Sequence, residues 1–305
     1  MPAASLRALL SQAIDYAGLF PPASLELESA LWNYSEYVRG PDAWMLGTFI
    51  LPVAEFDAAA RGNSKFEKAH PLRVSALGPR TDSAHGFIKS LSAAMDSIAA
   101  FRVAAGATAS VEQFEMLLPA DVNTDLLQAI ASRAEPQLAT FWEAPRGASE
   151  RVIELIAANN NAKAGRKLGF KLRTGGVRAD AFPCSAEIAF ALMAAGNQQV
   201  PIKFTAGLHH PVRVFHDSVQ SRMHGFLNVL GAGALAVEHQ WNETEVIRML
   251  DDEDPASFSF TDDCFAWRDW EISTAKIPAR RGLVTSLGSC SFDEPRDDLR
   301  ALKLL

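Results

Sequence analysis

Two lysines at matching positions of successive strand-like segments are the residues of this sequence best suited to covalent or anion-binding chemistry. Lys171 lies in GFKLRTGG (169–176), and Lys203 lies thirty-two residues later in IKFTAG (202–207). In both segments a short apolar run carries the lysine and ends in glycine. A lysine amine can attack a carbonyl carbon, and a lysine ammonium can bind an anion. The repeated spacing predicts that both side chains enter one pocket.

Side-chain alternation predicts which residues face the same way as these lysines. Successive side chains of a strand point to opposite faces, so Lys171 and Arg173 share one face. By the same rule Lys203 and Thr205 share a face of the next strand, and Glu143, at the end of LATFWEAP, is expected on that side too. A buried ammonium is unfavourable unless a carboxylate or an anionic ligand pairs with it. We therefore expect a catalytic role for both lysines and for Glu143.

The residues that follow the lysines are candidates for substrate binding. Gly175, Gly176 and Gly207 have no side chain, so a ligand can approach their backbone N–H groups closely. Arg173 carries a guanidinium, which binds a carboxylate or a phosphate through two parallel hydrogen bonds. Together with Thr205, these residues predict a small anionic substrate.

Histidines cluster after the second lysine segment. TAGLHHPVR (205–213) contains His209 and His210, followed by Arg213, and His224 lies a short distance further on. A histidine at a strand end suits general acid–base catalysis near neutral pH, so His209 and His210 are candidate catalytic residues and Arg213 and His224 candidate substrate contacts. The alternative is a divalent metal bound by histidines with Glu143, although the sequence has no H-x-H or H-E-x-x-H spacing.

The alternation of short apolar runs with helix-like stretches predicts the architecture that positions these residues. Strand follows strand after about 25 to 40 residues, as successive βα units require. The length fits a closed (β/α)8-like TIM barrel, whereas no G-x-G-x-x-G motif supports a dinucleotide-binding fold. The predicted strands are 46–52, 72–78, 114–119, 138–145, 169–176 and 202–207, and the predicted helices between them are 53–62, 82–104, 122–134, 148–160 and 184–196.

One domain over 1–305 is expected, because no linker-like stretch interrupts the chain. It is divided into N-terminal helices over 1–44, the barrel over 45–250 and an irregular capping segment over 251–305. Finer expectations are helices over 3–16, 24–38 and 262–272, a helix and one more strand within 223–239, and a Gly/Ser-rich segment over 279–295 that folds back over the sheet.

The segment IDYAGLFPPAS (14–24) is expected to be a rigid loop, because its two prolines restrict the backbone. It either covers the mouth of the barrel and brings Asp15 to the ligand, or places Leu19 and Phe20 at the barrel bottom or in a subunit contact. Both alternatives remain open.

The composition excludes some partners. The formal net charge is −7, which argues against nucleic acid or an anionic membrane as a general partner. No run approaches the ~18 apolar residues of a membrane span. Three separated cysteines without a C-x-x-C motif indicate neither a disulfide framework nor a zinc knuckle. We expect a cytoplasmic protein that binds a small anionic substrate, and a homo-oligomer remains open.

The pair FKLRTGG and IKFTAGL resembles the two lysine strands of class I aldolases of the deoxyribose-phosphate aldolase type. The resemblance implies that Lys171 forms a Schiff base and that Lys203 lowers the pKa of Lys171 by like-charge repulsion. It also implies that Glu143 transfers protons. Arg173 and the LHHPVR segment depart from the family's pattern, so the resemblance implies a type of reaction and no particular substrate.

Three functions are compatible with these residues. The first is an aldolase-type lyase that acts on a small anionic carbonyl compound and needs no cofactor. The second is a metal-dependent barrel hydrolase or isomerase that uses His209, His210 or His224 with Glu143. The third is a binding or scaffold protein in which the polar barrel centre is structural.

Overall fold

A computed structural model describes residues 1–135, 137–162 and 167–305. The strands, labelled in chain order, are β1 Ile14–Tyr16, β2 Leu46–Pro52, β3 Leu72–Leu77, β4 Ala109–Leu117, β5 Ala139–Glu143, β6 Gly169–Arg173, β7 Ile202–Thr205, β8 Val214–His216, β9 Ser221–Met223, β10 Phe258–Phe260, β11 Cys264–Trp267, β12 Trp270–Ser273 and β13 Val284–Ser289. The helices are α1 Ala4–Leu10, α2 Leu27–Tyr37, α3 Phe56–Arg61, α4 Ala84–Ala105, α5 Thr124–Arg133, α6 Ser149–Ala162, α7 Ser185–Asn197, α8 Phe226–His239, α9 Glu243–Leu250, α10 Ile277–Arg281 and α11 Asp293–Ala301.

Eight parallel strands close into a barrel in the order β1-β13-β7-β6-β5-β4-β3-β2. The remaining strands form a hairpin, β8–β9, and an antiparallel sheet, β10–β11–β12. The predicted (β/α)8 barrel is therefore confirmed. Each of the six predicted strands overlaps one of the strands β2 to β7.

The core lies between the barrel and its helices. Trp142 of β5 is fully buried, and its ring centroid lies 5.9 Å from that of Phe87 in α4 and 5.7 Å from that of Phe114 in β4. Polar side chains fix where some of the outer helices begin, because Ser83 accepts a hydrogen bond from a backbone N–H of α4 and Asn123 does so for α5. Trp142 and Phe114 thus face outward from the strands, towards the helices.

The barrel begins earlier and ends later than the predicted range of 45–250. Its first strand, β1, lies within 3–16, where a helix was expected, and its eighth, β13, lies within 279–295. A strand of three residues is too short to produce an alternating pattern. The sequence of β13, VTSLGS, is interrupted by small polar residues, so it lacks the apolar run that marks the other strands.

Two further expectations are wrong. Residues 262–272 form the antiparallel strands β11 and β12 instead of a helix. Phe265 and Trp267 are buried while their neighbours are partly exposed, which is the period of two that a half-buried strand requires. Residues 223–239 contain α8 but no additional barrel strand, since β9 pairs with β8 alone.

Within the part of the chain that the structure describes, no helix is both long and apolar enough to cross a membrane.

Gly47 of β2 makes room for a charged side chain inside the barrel. A Cβ atom at this position would lie 2.3 Å from Oδ1 of Asp15. We expect Gly47→Ala to lower the free energy of unfolding by about 1–3 kcal/mol, because the carboxylate has to move. Denaturant unfolding measures this change. Gly196→Ala in α7 is the control, since nothing lies within 4 Å of its Cβ position, and it should leave stability unchanged or raise it by up to ~1 kcal/mol. Equal stability of the two variants would contradict the account.

Candidate active site

Glu115 of β4 binds both predicted lysines inside the barrel. Its Oε2 lies 2.9 Å from Nζ of Lys171, and its Oε1 lies 2.5 Å from Nζ of Lys203. The two lysines are register partners on the adjacent strands β6 and β7. One carboxylate therefore joins both amines, and all three side chains are buried.

Lys203 is enclosed by acceptors. Its Nζ lies 2.7 Å from Oδ2 of Asp15 and donates to Oε1 of Gln113 at 2.6 Å and to Oγ of Ser75 at 3.5 Å. Burial by itself would lower the pKa of Lys203, but the carboxylates of Asp15 and Glu115 outweigh burial and raise it above its usual value. Lys203 is therefore held in its charged form by these partners and has no exposed surface.

Asp15 lies in the barrel wall and not in a loop over its mouth. It belongs to β1, and Oδ1 accepts hydrogen bonds from the backbone N–H of Thr48 at 2.5 Å and from the Thr48 hydroxyl at 2.7 Å. The Ser286 hydroxyl donates to Oδ2 at 2.6 Å. Asp15 is fully buried, so its role here is to hold Lys203. This position does not support the expectation that a loop over 14–24 brings Asp15 to a ligand.

Lys171 forms a second ion pair, with Glu143 at the end of β5. Its Nζ lies 3.1 Å from Oε2 of Glu143, whose Oε1 accepts a hydrogen bond from Nε of Arg173 at 2.9 Å. Burial favours the neutral form of Glu143, yet Lys171 and Arg173 outweigh it and lower the pKa of this carboxyl group. Glu115 likewise has a lowered pKa, because Lys171 and Lys203 outweigh its burial.

The ion pairs connect three cations with three carboxylates, so their formal charges cancel. The connected groups are Asp15, Glu115, Glu143, Lys171, Lys203 and Arg173. Buried charges are tolerated in such a network because each one has an opposite partner.

A cleft of about 850 Å³ opens at the carboxyl ends of β5 and β6. Lys171, Glu143 and Arg173 line it, together with Arg80 and Arg146 from the loops after β3 and β5. Lys171 is 4% exposed at this cleft, whereas Lys203 is 0% exposed. The carboxyl ends of barrel strands are where catalytic residues of this fold lie. The cleft is therefore open to the first lysine and closed to the second.

The glycines after the lysine runs allow the loops after β6 and β7 to approach each other closely. A Cβ atom on Gly175 would lie 2.6 Å from Cα of Gly207 and 2.7 Å from the ring of Phe182. Gly207 has φ +76°, a conformation that favours glycine. A Cβ atom on Gly176 would likewise lie 2.8 Å from Cβ of Ala181. Thr205 pairs in register with Arg173 and is partly exposed.

Each of the three candidate histidines binds a different partner. Nδ1 of His209 lies 3.0 Å from Oε2 of Glu294, and Nδ1 of His210 lies 2.7 Å from Oδ2 of Asp298, both carboxylates being in α11. His224 donates from Nε2 to the carbonyl of Pro183 at 2.8 Å, and burial lowers its pKa. His209 and His210 thus join their loop to α11, and His224 contacts the loop that precedes α7.

Neither a metal site nor an anion clamp is built from this segment. Among residues 1–135, 137–162 and 167–305, no group of three or more His, Cys, Asp or Glu is placed to hold a metal ion. Arg213 lies 2.6 Å from Oδ1 of Asp251 and donates to the Ser185 hydroxyl at 2.6 Å. Its positive charge is therefore paired with a carboxylate near α7 and α9.

Glu115 is the main residue that sequence reasoning missed. It lies between Phe114 and Met116 in a run that was correctly predicted as a strand, and its inward direction follows from alternation. A single acidic residue inside the apolar run FEMLLP is the signal that could have identified it, and the same signal applies to Asp15 in AIDYAG.

Lys203→Met tests the network, because it removes the cation that pairs with buried Asp15 and leaves buried Glu115 with Lys171 alone. We expect the free energy of unfolding to fall by about 3–5 kcal/mol, the cost of breaking a buried ion pair on one side. Urea unfolding followed by circular dichroism measures it. Arg178→Met is the control, since the Arg178–Asp180 pair is exposed and should contribute less than ~1 kcal/mol. A Lys203→Met variant as stable as the control would refute the buried network.

The contact between His209 and α11 predicts a pH dependence of stability. Burial would lower the pKa of His209, but hydrogen bonds to Cys290 and Glu294 raise it from 6.5 to about 9. Because the pKa of His209 is higher in the folded than in the unfolded protein, its protonation stabilises the folded state fully at pH values below the unfolded-state pKa. This stabilisation is lost as the pH rises through about 9. We expect the wild type to lose about 1–3 kcal/mol more than Glu294→Gln between pH 6 and pH 9.5.

Glu154→Gln, at an exposed position of α6, is the control for this measurement and should follow the wild type. Denaturant unfolding at each pH gives the three curves. Parallel curves for the wild type and Glu294→Gln would contradict the assignment.

Comparison with known proteins does not add a family to this description. The chain's sequence matches neither the known protein families nor the curated proteins with which it was compared. Closed barrels of parallel strands carry many unrelated activities, so the fold alone assigns none. Function has to be argued from the chemistry of the site.

Proposed function

We propose that the protein is an aldolase-type lyase that acts on a small anionic carbonyl compound through a Schiff base on Lys171. One observation carries the proposal: Lys171 lies at the base of an open cleft with a carboxylate on either side, Glu115 at 2.9 Å and Glu143 at 3.1 Å. An amine nucleophile needs an acceptor for its proton and access for its substrate. The position of Lys171 supplies both.

Glu143 is the proton acceptor that this geometry favours. An ammonium group cannot attack a carbonyl carbon, so Lys171 first has to transfer a proton to one of its carboxylates. Two cations favour the ionised form of each carboxylate, but Glu115 is fully buried, whereas Glu143 lies at the edge of the cleft beside Arg173. A substrate anion bound to Arg173 adds negative charge next to Glu143 and raises its pKa. Substrate binding thus promotes the transfer that activates the lysine.

Arg173 is placed to bind that anion. Its Nε donates to Glu143, and no hydrogen bond among the described residues occupies its two terminal amino groups. Its side chain is 44% exposed and lines the cleft. A carboxylate or phosphate that contacts these amino groups brings a neighbouring carbonyl carbon towards Lys171.

The chemical step then follows the usual course of an amine and a carbonyl compound. The neutral amine of Lys171 adds to the carbonyl carbon, the carbinolamine takes up a proton from Glu143 and loses water, and an iminium ion remains. Glu143 then removes the proton of a hydroxyl group on the β-carbon, the Cα–Cβ bond breaks, and the β-carbon leaves as a carbonyl compound. The electron pair of that bond moves to the iminium and forms an enamine. The enamine carbon takes the proton back from Glu143, and water hydrolyses the imine to release the second product and Lys171. Glu143 lies close enough to remove and return the protons of both stages.

Lys203 has a different role from the one that the resemblance implies. Its charge is balanced by Asp15 and Glu115, so repulsion of Lys171 is not its main effect. Lys203 and Ser75 occupy Oε1 of Glu115 and leave Oε2 towards Lys171. We assign Lys203 the positioning of Glu115.

Location and assembly are further parts of the proposal. The cytoplasm is the expected location, supported by three cysteines that are all free thiols. A homo-oligomer, which the sequence leaves open, is proposed on the exposure of Val214 and Phe215 on the β8–β9 hairpin, which are 38% and 46% exposed.

Reductive trapping tests the Schiff base. We expect sodium borohydride with glyoxylate, pyruvate or glyceraldehyde to add the mass of the carbonyl compound less one oxygen atom, at Lys171. Intact mass and peptide mapping detect the adduct. Lys171→Arg keeps the positive charge but cannot form an imine, so its adduct should be lost, while Lys89→Ala, at an exposed lysine of α4, should retain it.

Arg173→Ala separates the anion clamp from the nucleophile. We expect it to raise the keto acid concentration for half-maximal trapping at least tenfold and to leave trapping of the neutral aldehyde unchanged. No adduct across the panel, or the same adduct in Lys171→Arg, would exclude Lys171 as the nucleophile.

A further inference from the structure

The cleft above Lys171 is much larger than the carbonyl and acid groups that the proposed chemistry needs. Its volume of about 850 Å³ lies in the range of pockets that hold ligands of drug size. A three-carbon keto acid would leave most of this space to water. The lining of the remaining space therefore indicates what else the substrate carries.

One wall of the cleft is mostly apolar and comes from a single segment, residues 180–190. Phe182 and Pro183 precede α7, and Ala186 and Phe190 lie on its first turns. Ala186 and Phe190 are four residues apart, so they share one helix face, which is the face turned to the cleft. Phe190 is 36% exposed, which is high for so large an apolar side chain. An exposed aromatic ring on the wall of a cavity is suited to contact an apolar ligand.

The wall has a fixed position. The Phe182 ring lies against the contact between Gly175 and Gly207, where Cβ atoms would come within 2.7 Å and 2.9 Å of it. These glycines therefore admit the ring between the loops that follow β6 and β7. Asp180 and Glu187 are the acidic residues of this segment in the lining, and Arg146 donates to the carbonyl of Asp180 at 3.1 Å. The cleft thus has an anion-binding part at Arg173 and a separate apolar part.

We propose that this wall is a subsite for an alkyl or aryl tail, so that the ligand is a carbonyl acid with an apolar substituent of roughly four or more carbons. The carboxylate binds Arg173, the carbonyl carbon faces Lys171, and the tail lies along Phe182 and Phe190. The carbonyl part of this assignment rests on the proposed function. The apolar subsite itself requires only the acid group and the tail.

Binding of acids without a carbonyl group tests the subsite independently of the Schiff base. Acetate, butyrate, hexanoate and phenylacetate are titrated into the protein at constant ionic strength, and their dissociation constants are measured by ligand-observed NMR. We expect affinity to rise about two- to fourfold for each added methylene group. Phe190→Ala should reduce this gain, and Phe190→Leu should retain most of it.

Phe215→Ala is the matched control, because this aromatic residue is also exposed but lies on the β8–β9 hairpin. It should bind the whole series like the wild type. Equal affinity for acetate and hexanoate would overturn the subsite, and so would an unchanged gain in Phe190→Ala.

Borohydride trapping with pyruvate, 2-oxobutanoate and 2-oxohexanoate separates this proposal from the proposed function. Length-dependent binding of the simple acids without any trapped adduct supports the subsite and refutes the Schiff base. Trapping at Lys171 with no dependence on chain length supports the Schiff base and refutes the subsite.

Discussion

Inside the barrel, the Glu115 carboxylate binds two ammonium groups, Lys171 through Oε2 and Lys203 through Oε1. Placing a charge away from water is unfavourable, and each of these groups is stable there because the others compensate it. The surrounding residues serve this arrangement. Gly47 leaves space for Asp15, and Thr48 and Ser286 supply the hydrogen bonds that hold its carboxylate.

The network is symmetrical in charge but not in exposure, and this difference separates structural from chemical roles. Lys203 has every acceptor it needs and contacts no solvent, so it can hold Glu115 but cannot meet a substrate. Lys171 has the same charge and lies at the cleft, next to the Glu143 carboxylate that the proposed mechanism uses. A barrel interior filled by ion pairs thus exposes one ammonium group at the end where the loops form a pocket.

The parts of this structure that follow from local pattern were predictable from sequence. The lysine strands carry an apolar run, a cation and a glycine, so alternation sufficed to turn Lys171, Arg173 and Lys203 inward. Other parts depend on long-range pairing. Strand β1 has three residues and gains its partners from β2 and β13, at positions far away in the chain. Asp15 therefore looked like a loop residue.

For the histidines, sequence reasoning gave too much weight to proximity along the chain. His209 and His210 are close to Lys203 in sequence, which suggested a shared site, yet both bind α11, which lies more than eighty residues away. Chain proximity after a strand end does not fix the direction of a side chain. The partner helix decides it, and its sequence carries acidic residues without a distinguishing pattern.

The shared carboxylate can be observed directly through the lysine side chains. Protein labelled with ¹⁵N at the lysine Nζ should give an ammonium resonance from Lys203 that is protected from solvent exchange, and Lys203→Arg would assign it. In Glu115→Gln, the resonances of both Lys171 and Lys203 should shift, while that of Lys89 should not. If Glu115→Gln moved only one of the two lysine resonances, or neither, the two amines would not share a carboxylate and the account would be wrong.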